Sequence, residues 1–423
     1  MGASSHLRKT CRLCEGLNIE KVVPLEPIPL PDKFLTKDQL GTVSEEFFPV
    51  DIYMCRDCGH VQILEMINPE ILWDDDFSFH SGQSKGVIEH FDEVSQKVIQ
   101  QYKPTSTSLV VDVGSNDGTM LNFFKKAGFR VLGIDPIKRI AQEATEAGIK
   151  TLPTILTPEV AQKIRNQEGP ASVVMAFNVF AHAHDMGHMA ESIRSLLAPD
   201  GIFVFEVQYL MDIIDRMLFG TIFHEHMSHH SMLSMQQFLK RHGMELIDIE
   251  RNSMQGGSII GVVQLTGGPR PVSTAVTELL KLEKERGLDK PQTMKEFGRR
   301  LNAMRKQVKE LLTKWKGQGA TVAGYGAARS GPTLIAQLDL GDAISYIVDD
   351  HPQKVNKFSP GHHIEVLPTS ELYKRMPDYV VILAWIHAKK IIESNVKYLE
   401  DGGHFVVCIP DIQVVGAGQA AAL

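Results

Sequence analysis

The sequence lacks long apolar runs, an excess of positive charge and a dense set of cysteines. No apolar segment approaches the roughly 20 residues that a membrane-spanning helix needs, and the first residues show no apolar core typical of a secretory signal. The formal net charge of −7 argues against broad binding to nucleic acid or anionic membranes, which needs a dominant basic patch. We therefore expect a cytoplasmic protein, a monomer or small homo-oligomer, whose partner is a small molecule or another protein.

Four of the five cysteines form two CxxC pairs. Cys11 with Cys14, and Cys55 with Cys58, can each hold one side of a metal ion from a tight turn. The spacing predicts a structural four-cysteine zinc site, and a redox pair or a coincidental spacing is the alternative. Four thiolates leave no open coordination position, so such a zinc would stabilise the fold without taking part in chemistry. Cys408 lies in an apolar run and is interpreted as a core residue.

A chain of 423 residues is too long for one core of the usual size, so two or three domains are expected. Short apolar strands alternate with helical patterns in two stretches, which is typical of doubly wound α/β sheets because parallel strands need crossover helices. The predicted units are a loop-rich zinc-binding domain (1–65), a helical connector (66–105), a Rossmann-like α/β domain (106–267), a helical linker (268–316), a second Rossmann-like α/β domain (317–412) and a poorly ordered tail (413–423).

The first α/β unit begins with VVDVGSNDGTMLNFF, a buried strand followed by a glycine-rich loop and an amphipathic helix. Glycine is expected in such a loop because a ligand must lie close to the backbone. The GxGxxG spacing of dinucleotide sites is absent, and the loop resembles the first motif of class I S-adenosylmethionine-dependent methyltransferases. Asp135 ends the next strand, where a carboxylate can accept both ribose hydroxyls, although loop capping is the alternative for this and the other acids. The candidate cofactor-binding residues are Asp112, Gly114, Asn116, Asp117, Gly118, Asp135 and Asn178.

A second glycine-rich loop, GYGAARSG at residues 324–331, opens the second α/β unit. It lies between a predicted strand and a helix, so its backbone N–H groups and the helix dipole could bind an anion. Arg329 could add a two-pronged contact to a phosphate. Taken alone, this pattern would favour NAD, with Asp349 at the end of the next strand as the ribose-binding acid.

The order of motifs along the chain resembles the sugar C-methyltransferase family. The motifs are CxxC, CxxC, VDVGSNDG, FNVFAHAHD, FEVQYL, FHEHMSHHS, GGS and GYGAARSG, and the resemblance runs from Cys11 to about Pro410. That family adds a methyl group to carbon 3 of nucleotide-linked 4-keto-deoxysugars, so the resemblance implies S-adenosylmethionine and structural zinc as cofactors and a nucleotide-diphosphate sugar as partner. The resemblance implies that the C-terminal domain holds the nucleotide diphosphate of the sugar and not NAD. The alternative that the second glycine-rich loop binds no ligand is left open. The candidate substrate-binding residues are Gln208, His224, Gly326, Ala327, Arg329, Asp349, Lys354 and His363.

Residues 221–231, TIFHEHMSHHS, form a histidine-rich segment that could be a metal cage, a proton-transfer device or a polar loop. Carbon methylation needs a base that removes the proton from carbon 3 and a donor for the enolate oxygen, and histidine suits the first task. The resemblance implies that His226 is the base, with Glu225 as an orienting neighbour and His182 as a contact to substrate or enolate. Substrate hydrogen bonding and a structural role stay open for His226. HExxH is absent because Ser228 stands where the second histidine would be, which disfavours the metal cage.

The chain departs from the family pattern at Phe77, Phe79 and Phe223 and in SHHS, which stands in place of an aromatic, SYFS-like continuation. Phe77, Phe79 and Phe223 stand where the family has tyrosines, and a phenyl ring cannot donate a hydrogen bond. His80, His229 and His230 are candidates to replace the lost hydroxyls, although His224, His229 and His230 are otherwise interpreted as structural. The sequence therefore leaves three alternatives open: a methyltransferase of the same build with a different acceptor, a non-catalytic nucleotide-sugar-binding protein, and an NAD-dependent oxidoreductase.

Overall fold

The structure, a computed structural model, describes residues 4–72 and 79–419. Phe77, one of the positions singled out in the sequence, lies outside these residues. Within the two described ranges, none of the helices has the length and apolar character needed to cross a bilayer. The strands of these described residues form four sheets of two, four, six and seven strands.

Residues 4–72, the N-terminal unit, form small antiparallel sheets around the four cysteines. β1 pairs with β5, while β2, β3 and β4 follow one another in an antiparallel meander. One face of this meander buries apolar side chains, among them Ile52, Met54 and Val61. The elements are β1 (Ser5–Leu7), β2 (Ile19–Val23), β3 (Ile52–Cys55), β4 (Val61–Ile63), β5 (Glu65–Ile67) and α1 (Pro69–Leu72).

A long helix, α2 (Lys85–Tyr102), leads into the central α/β unit, as its apolar spacing predicts. It buries Phe91, Val94 and Val98 against the sheet that follows. The elements of this unit are β6 (Leu109–Val113), α3 (Thr119–Lys126), β7 (Arg130–Ile134), α4 (Lys138–Glu146), β8 (Thr151–Leu152), α5 (Pro158–Glu168), β9 (Ala171–Phe177), α6 (Met186–Leu196), β10 (Leu197–Gln208), α7 (Leu210–Asp215), β11 (Ser228–His229), α8 (Met232–Arg241), β12 (Met244–Asn252) and β13 (Ser258–Leu265).

The central sheet has the order β12-β13-β10-β9-β6-β7-β8. Strands β6 to β10 are parallel, and β13 runs antiparallel to both β10 and β12, so β12 and β13 form a hairpin at one edge of the sheet. The direction of winding reverses between β6 and β9. In open α/β sheets, ligands bind outside the carboxyl ends of the strands at such a switch point.

Strand β11 does not join the central sheet. It pairs antiparallel with β4 of the N-terminal unit, Ser228 opposite Gln62 and His229 opposite Val61. The histidine-rich segment is therefore buried between the N-terminal and central units, which the sequence did not indicate.

Two helices, α9 (Thr274–Glu285) and α10 (Pro291–Gly317), connect the α/β units. Helix α10 crosses strand β2, and a Cβ added at Gly298 would lie 3.1 Å from a methyl carbon of Val23. Some of its basic side chains form ion pairs with acids of the N-terminal unit, as between Lys295 and Glu20. This helical linker therefore packs against the N-terminal unit and stabilises it.

The C-terminal sheet has the order β16-β15-β14-β17-β18-β19, parallel except for the last strand. The predicted fold class, α/β with a zinc-binding unit and two Rossmann-like units, is confirmed. The prediction of a poorly ordered tail is wrong for residues 413–415, because Val415 is buried and these residues pair with β18. The elements are β14 (Val322–Tyr325), α11 (Gly331–Gln337), β15 (Ile347–Val348), β16 (Val366–Leu367), α12 (Ser370–Arg375), β17 (Tyr379–Ile382), α13 (Ala388–Ser394), α14 (Val396–Glu400), β18 (His404–Val407) and β19 (Gln413–Val415).

Candidate active site

The two CxxC pairs meet in one cluster. The sulfur atoms of Cys11 and Cys58 lie 3.6 Å apart, those of Cys14 and Cys55 lie 3.4 Å apart, and all four lie within 4.8 Å of one another. A tetrahedral zinc with Zn–S bonds of about 2.3 Å separates its sulfur ligands by about 3.8 Å. The cluster therefore fits a four-thiolate zinc site that holds the N-terminal unit and has no open position for a substrate.

The first glycine-rich loop, residues 114–118, lies between β6 and α3 at the switch point of the central sheet. Gly114 and Gly118 have φ angles of 72° and 79°, which glycine adopts without strain. A Cβ at Gly114 would lie 2.5 Å from Val179, and one at Gly118 would lie 2.9 Å from Ile149. Both glycines are therefore required by backbone conformation and by packing.

Two predicted acids lie side by side behind this loop. The carboxylate of Asp135 accepts hydrogen bonds from the backbone N–H groups of Asn116 and Ile137, both at 2.9 Å. Each carboxylate oxygen can accept a further hydrogen bond, so the carboxylate retains the capacity to bind two hydroxyl groups. Asp112 is buried, and its burial together with the nearby charge of Asp135 raises its pKa to about 8.

Residues 79–83, the cover segment, lie over the first glycine-rich loop. Ser81 N–H donates to Asn116 Oδ1 at 2.8 Å, and Asn116 Nδ2 donates to the Phe79 carbonyl at 3.1 Å. Asp117 accepts from the Gly82 N–H at 2.7 Å. The side chains of Asn116 and Asp117 thus hold the cover segment. For Asp117, this supports the alternative interpretation as a loop-capping acid. The Phe79 side chain is 46% exposed beside the loop.

Backbone strain marks two asparagines at this edge. Asn116 and Asn178 have φ angles of 50° and 57°, a region that residues with a side chain rarely adopt and that concentrates at ligand sites. The Asn178 N–H donates to the Glu206 carbonyl at 2.8 Å. The structure therefore brings the predicted cofactor-binding residues together where β6, β7 and β9 end.

His226 lies at the centre of the histidine-rich segment and is partly exposed, while residues 221–225 and 227–231 are buried. Its Nδ1 lies 2.7 Å from the Thr221 carbonyl. A carbonyl only accepts, so Nδ1 carries the hydrogen and the neutral ring keeps a lone pair on Nε2. Burial and the nearby His182 lower the pKa of His226 to about 3. The ring is therefore neutral at pH 7 and able to accept a proton through Nε2.

Two rings flank His226. The centroid of the Phe223 ring lies 4.1 Å from that of His226, and the centroid of His182 lies 5.0 Å from it. His182 Nδ1 lies 2.7 Å from the Glu225 carbonyl. The structure thus brings the two predicted catalytic histidines together and holds both through main-chain carbonyls of one segment.

The other histidines of the segment contact the N-terminal unit. His224 is buried with Nε2 3.1 Å from the Phe48 carbonyl, and His229 and His230 are buried beside His60 and the paired strands. Among the residues that the structure describes, the group with metal-ligand spacing is the cysteine cluster. These histidines have structural surroundings, and a substrate contact by His224 stays a prediction.

The histidine-rich segment and the second glycine-rich loop are joined by charges. Arg329 forms an ion pair with Glu225, and its Nε lies 3.4 Å from Asp32. Lys354 Nζ lies 3.2 Å from Asp32 and 2.9 Å from the Ala327 carbonyl. Arg329, predicted to bind phosphate, is thus held by carboxylates from two other units. Asp32 was missed because its proline-rich surroundings carry no signal of a site.

The second glycine-rich loop repeats the arrangement of the first. Asp349 accepts from the backbone N–H groups of Ala327 and His351, both at 2.7 Å, as Asp135 does in the central unit. Gly326 has a φ angle of 93°, and a Cβ there would lie 2.4 Å from that of Ala384. A cavity of about 580 Å³ lies nearby, lined by residues between 29 and 48 together with Ile71, Gln353, Lys354 and Lys357.

The remaining candidates lie at the ends of strands or loops. Gln208 ends β10 and donates to the Gln255 carbonyl at 3.2 Å. Glu206 is buried and its carboxylate lies 3.0 Å from His90 Nε2, so it anchors α2 to the end of β10. His363 is exposed and forms an ion pair with Glu45, which lines the cavity.

Comparison with known proteins covers nearly the whole chain. Three family models match: a zinc binding domain at residues 11–73, a methyltransferase domain at 89–249 and a C-methyltransferase C-terminal domain at 253–410. The C-methyltransferase NovU of Streptomyces niveus is 34% identical over 409 residues, which cover 96% of this chain and 97% of that protein.

Solved methyltransferase structures are similar to a smaller part of the chain. Magnesium protoporphyrin IX methyltransferase from Synechocystis PCC 6803 is 15% identical, with a TM-score of 0.33, over 42% of this chain and 79% of that one. The CcbJ methyltransferase from Streptomyces caelestis is 15% identical, with a TM-score of 0.34, over 41% of this chain and 89% of that one.

Proposed function

The chain belongs to the C-methyltransferase family and depends on S-adenosylmethionine; from this premise we propose that it methylates carbon 3 of a nucleotide-linked 4-keto-deoxysugar. One observation carries the proposal: the Thr221 carbonyl fixes Nδ1 of His226 as the protonated nitrogen and leaves Nε2 as a base. A ketone acidifies the carbon next to it, so a positioned base can remove the proton when a nearby charge stabilises the enolate, whereas an oxygen or nitrogen acceptor does not need an enolate.

In the proposed reaction, His226 Nε2 removes the proton from carbon 3, and the electron pair moves to the 4-keto oxygen. When bound, S-adenosylmethionine supplies an electrophilic methyl group, to which carbon 3 forms its new bond as the bond from methyl to sulfur breaks. Nδ1 keeps its hydrogen bond to Thr221 throughout, so the ring stays aligned as Nε2 gains the proton.

Arg329 supplies the positive charge near the enolate in this proposal. Its charge lowers the pKa of both His226 and His182, after the larger effect of burial. The same field that opposes a positive imidazole favours a negative enolate oxygen. Glu225, paired with Arg329, keeps the guanidinium in place and takes the orienting role.

The two glycine-rich loops hold the two ligands in the proposal. Asp135 binds the ribose of the methyl donor, with Asp112, Gly114 and Asn178 close to it. The nucleotide diphosphate lies at Gly326, Ala327 and Lys354, beside the 580 Å³ cavity. The Lys354 ammonium and backbone N–H groups are suitable partners for a diphosphate. Zinc, held by the four cysteines, stabilises the N-terminal unit and takes no chemical step.

The proposal is tested with S-adenosylmethionine and a panel of dTDP-, GDP- and UDP-linked 4-keto-6-deoxysugars in heavy water. One member of the panel should gain deuterium at carbon 3 without the donor and a methyl group with it. His226→Ala should abolish both, while the exposed His188→Ala, a matched control, should retain them.

Exchange that survives His226→Ala would assign the base to another residue. A protein that binds S-adenosylmethionine but neither exchanges nor methylates any keto-sugar would show that the acceptor belongs to another class, consistent with the phenyl rings of Phe79 and Phe223.

A further inference from the structure

The two zinc-binding turns have the same pattern, Cys-Arg-x-Cys, but their arginines have opposite surroundings. Arg56, between Cys55 and Cys58, has a side chain 46% exposed and pairs with Glu20 at 3.1 Å. Arg12, between Cys11 and Cys14, is 1% exposed. Burying a guanidinium is costly unless hydrogen bonds compensate. Because the second turn is built with its arginine in solvent, forming the cysteine cluster does not by itself explain why Arg12 is buried.

The Arg12 guanidinium reaches the junction between β4 and the histidine-rich segment. Nη1 donates to the Ile63 carbonyl and lies 3.3 Å from Gln62 Oε1 and 3.5 Å from the Met227 carbonyl. Nη2 lies 2.7 Å from the Met66 sulfur. The Ile63 N–H donates to the same Met227 carbonyl at 2.9 Å. Arg12 therefore contacts both partners of the hydrogen bond that attaches the segment to β4.

Met227 immediately follows His226. The segment is fixed on one side of His226 by the Ile63–Met227 hydrogen bond and the pairing of β11 with β4. On the other side, the Thr221 carbonyl holds the ring through Nδ1. A shift of the main chain at Met227 would consequently move the imidazole relative to its own hydrogen-bond acceptor.

We propose that Arg12 is a positioning residue for His226, through which the zinc-binding turn sets the place of the catalytic segment. The inference rests on the proposed role of His226 as the base. It gives the N-terminal unit a part in catalysis, although its zinc site is closed. A displacement of about 1 Å in a reacting group can cost roughly 100-fold in rate, so the effect should be large without any loss of ligand binding.

The matched test compares Arg12→Met with Arg56→Met, because the two substitutions occupy the same position of the two turns. Arg56→Met should leave kcat within about twofold of the unmodified enzyme. Arg12→Met should lower kcat by roughly 10- to 100-fold, with unchanged zinc content, unchanged Kd for S-adenosylmethionine and little change in KM for the acceptor. Arg12→Lys, which retains the charge and one donor group, should recover part of the loss.

Hydrogen exchange gives a test that needs neither the acceptor nor a folded variant. When a chelator removes zinc from the unmodified chain, the amides of residues 61–63 and 227–229 should lose protection. Those of β9 should keep theirs, and S-adenosylmethionine should still bind. If no keto-sugar is turned over, the proposed function fails, while this test still decides whether the zinc-binding turn holds the histidine-rich segment in place.

Three results would overturn the inference. In the first, Arg12→Met and Arg56→Met have equal effects on kcat. In the second, chelation leaves residues 227–229 as protected as before. In the third, protection is lost evenly across β9 and the histidine-rich segment, which would mean that zinc supports the whole fold and has no specific link to His226.

Discussion

Glu225 and Arg329 form an ion pair across two units: the carboxylate belongs to the histidine-rich segment and the guanidinium to the second glycine-rich loop. The Glu225 side chain is 6% exposed and that of Arg329 is 26% exposed. Burial raises the pKa of Glu225, and the arginine opposes this rise. The pair therefore connects the segment that carries the proposed base to the loop of the proposed nucleotide site.

Removing one partner of this pair should destabilise the protein. Glu225→Gln leaves a mostly buried arginine with one carboxylate fewer, and we expect a loss of about 3 kcal/mol in the free energy of unfolding. The double variant Glu225→Gln/Arg329→Met should lose less than the sum of the two single variants. Urea unfolding measures all three. The exposed pair of Arg56 and Glu20 serves as the control and should show a coupling of at most about 1 kcal/mol.

Alanine at the glycines of the two loops should separate the two ligand sites. Gly114→Ala places a methyl 2.5 Å from Val179 and should weaken the binding of S-adenosylmethionine. Gly326→Ala places one 2.4 Å from the Cβ of Ala384 and should instead raise KM for the acceptor. Calorimetric titration with the methyl donor and steady-state kinetics measure the two effects.

The control for both substitutions is Gly128→Ala. Gly128 has a φ angle of 94° but no atom within 4 Å of an added Cβ. The Gly128→Ala variant should lose only about 1–2 kcal/mol of unfolding free energy, the cost of the left-handed conformation, and its binding constants for both ligands should not change. Equal changes in ligand binding in all three variants would mean that the close contacts at Gly114 and Gly326 relax and have no bearing on the ligands.

The strands, helices and cysteine cluster could be predicted because their signals are local. The buried strand of β6 and the glycines after it are contiguous, and the CxxC spacing needs only a turn. The pairing of Ser228–His229 with β4, and the contact of Asp32 with Arg329, join residues far apart in the chain. No local pattern records such a pairing, so the histidine-rich segment could be assigned a chemistry but not its place between two units.

Binding of the methyl donor should release a proton from Asp112. Its buried carboxyl has a pKa of about 8, so it is largely protonated at pH 7, and a cationic ligand beside it favours the charged form. The affinity for S-adenosylmethionine should therefore increase with pH up to about 8, by as much as tenfold per pH unit. Calorimetry in buffers of different ionisation enthalpy counts the proton, and Asp112→Asn should remove both the release and the pH dependence.

Acid should destabilise the protein through the buried histidines. Burial, partial for His182, His184 and His226, lowers the pKa of six histidines to about 3 or 4: His182, His184, His224, His226, His229 and His230. Unfolded histidine has a pKa of about 6.5, so below that pH the unfolded chain binds protons that the folded chain does not. Their contribution to stability is complete above pH 6.5 and is lost as the pH falls towards 4. The raised pKa of Asp112 acts in the opposite direction, because there the folded chain binds its proton first.

His229→Asn isolates one of these contributions. The substitution should reduce the slope of unfolding free energy against pH by about 1.4 kcal/mol per pH unit between pH 4 and 6, whatever it does to stability at pH 7. His188→Asn, at a side chain 65% exposed, should leave the slope unchanged. Urea unfolding at half-unit steps of pH gives both slopes. An unchanged slope in His229→Asn would show that this histidine is protonated in the folded chain, which its burial between β4 and the central unit makes costly.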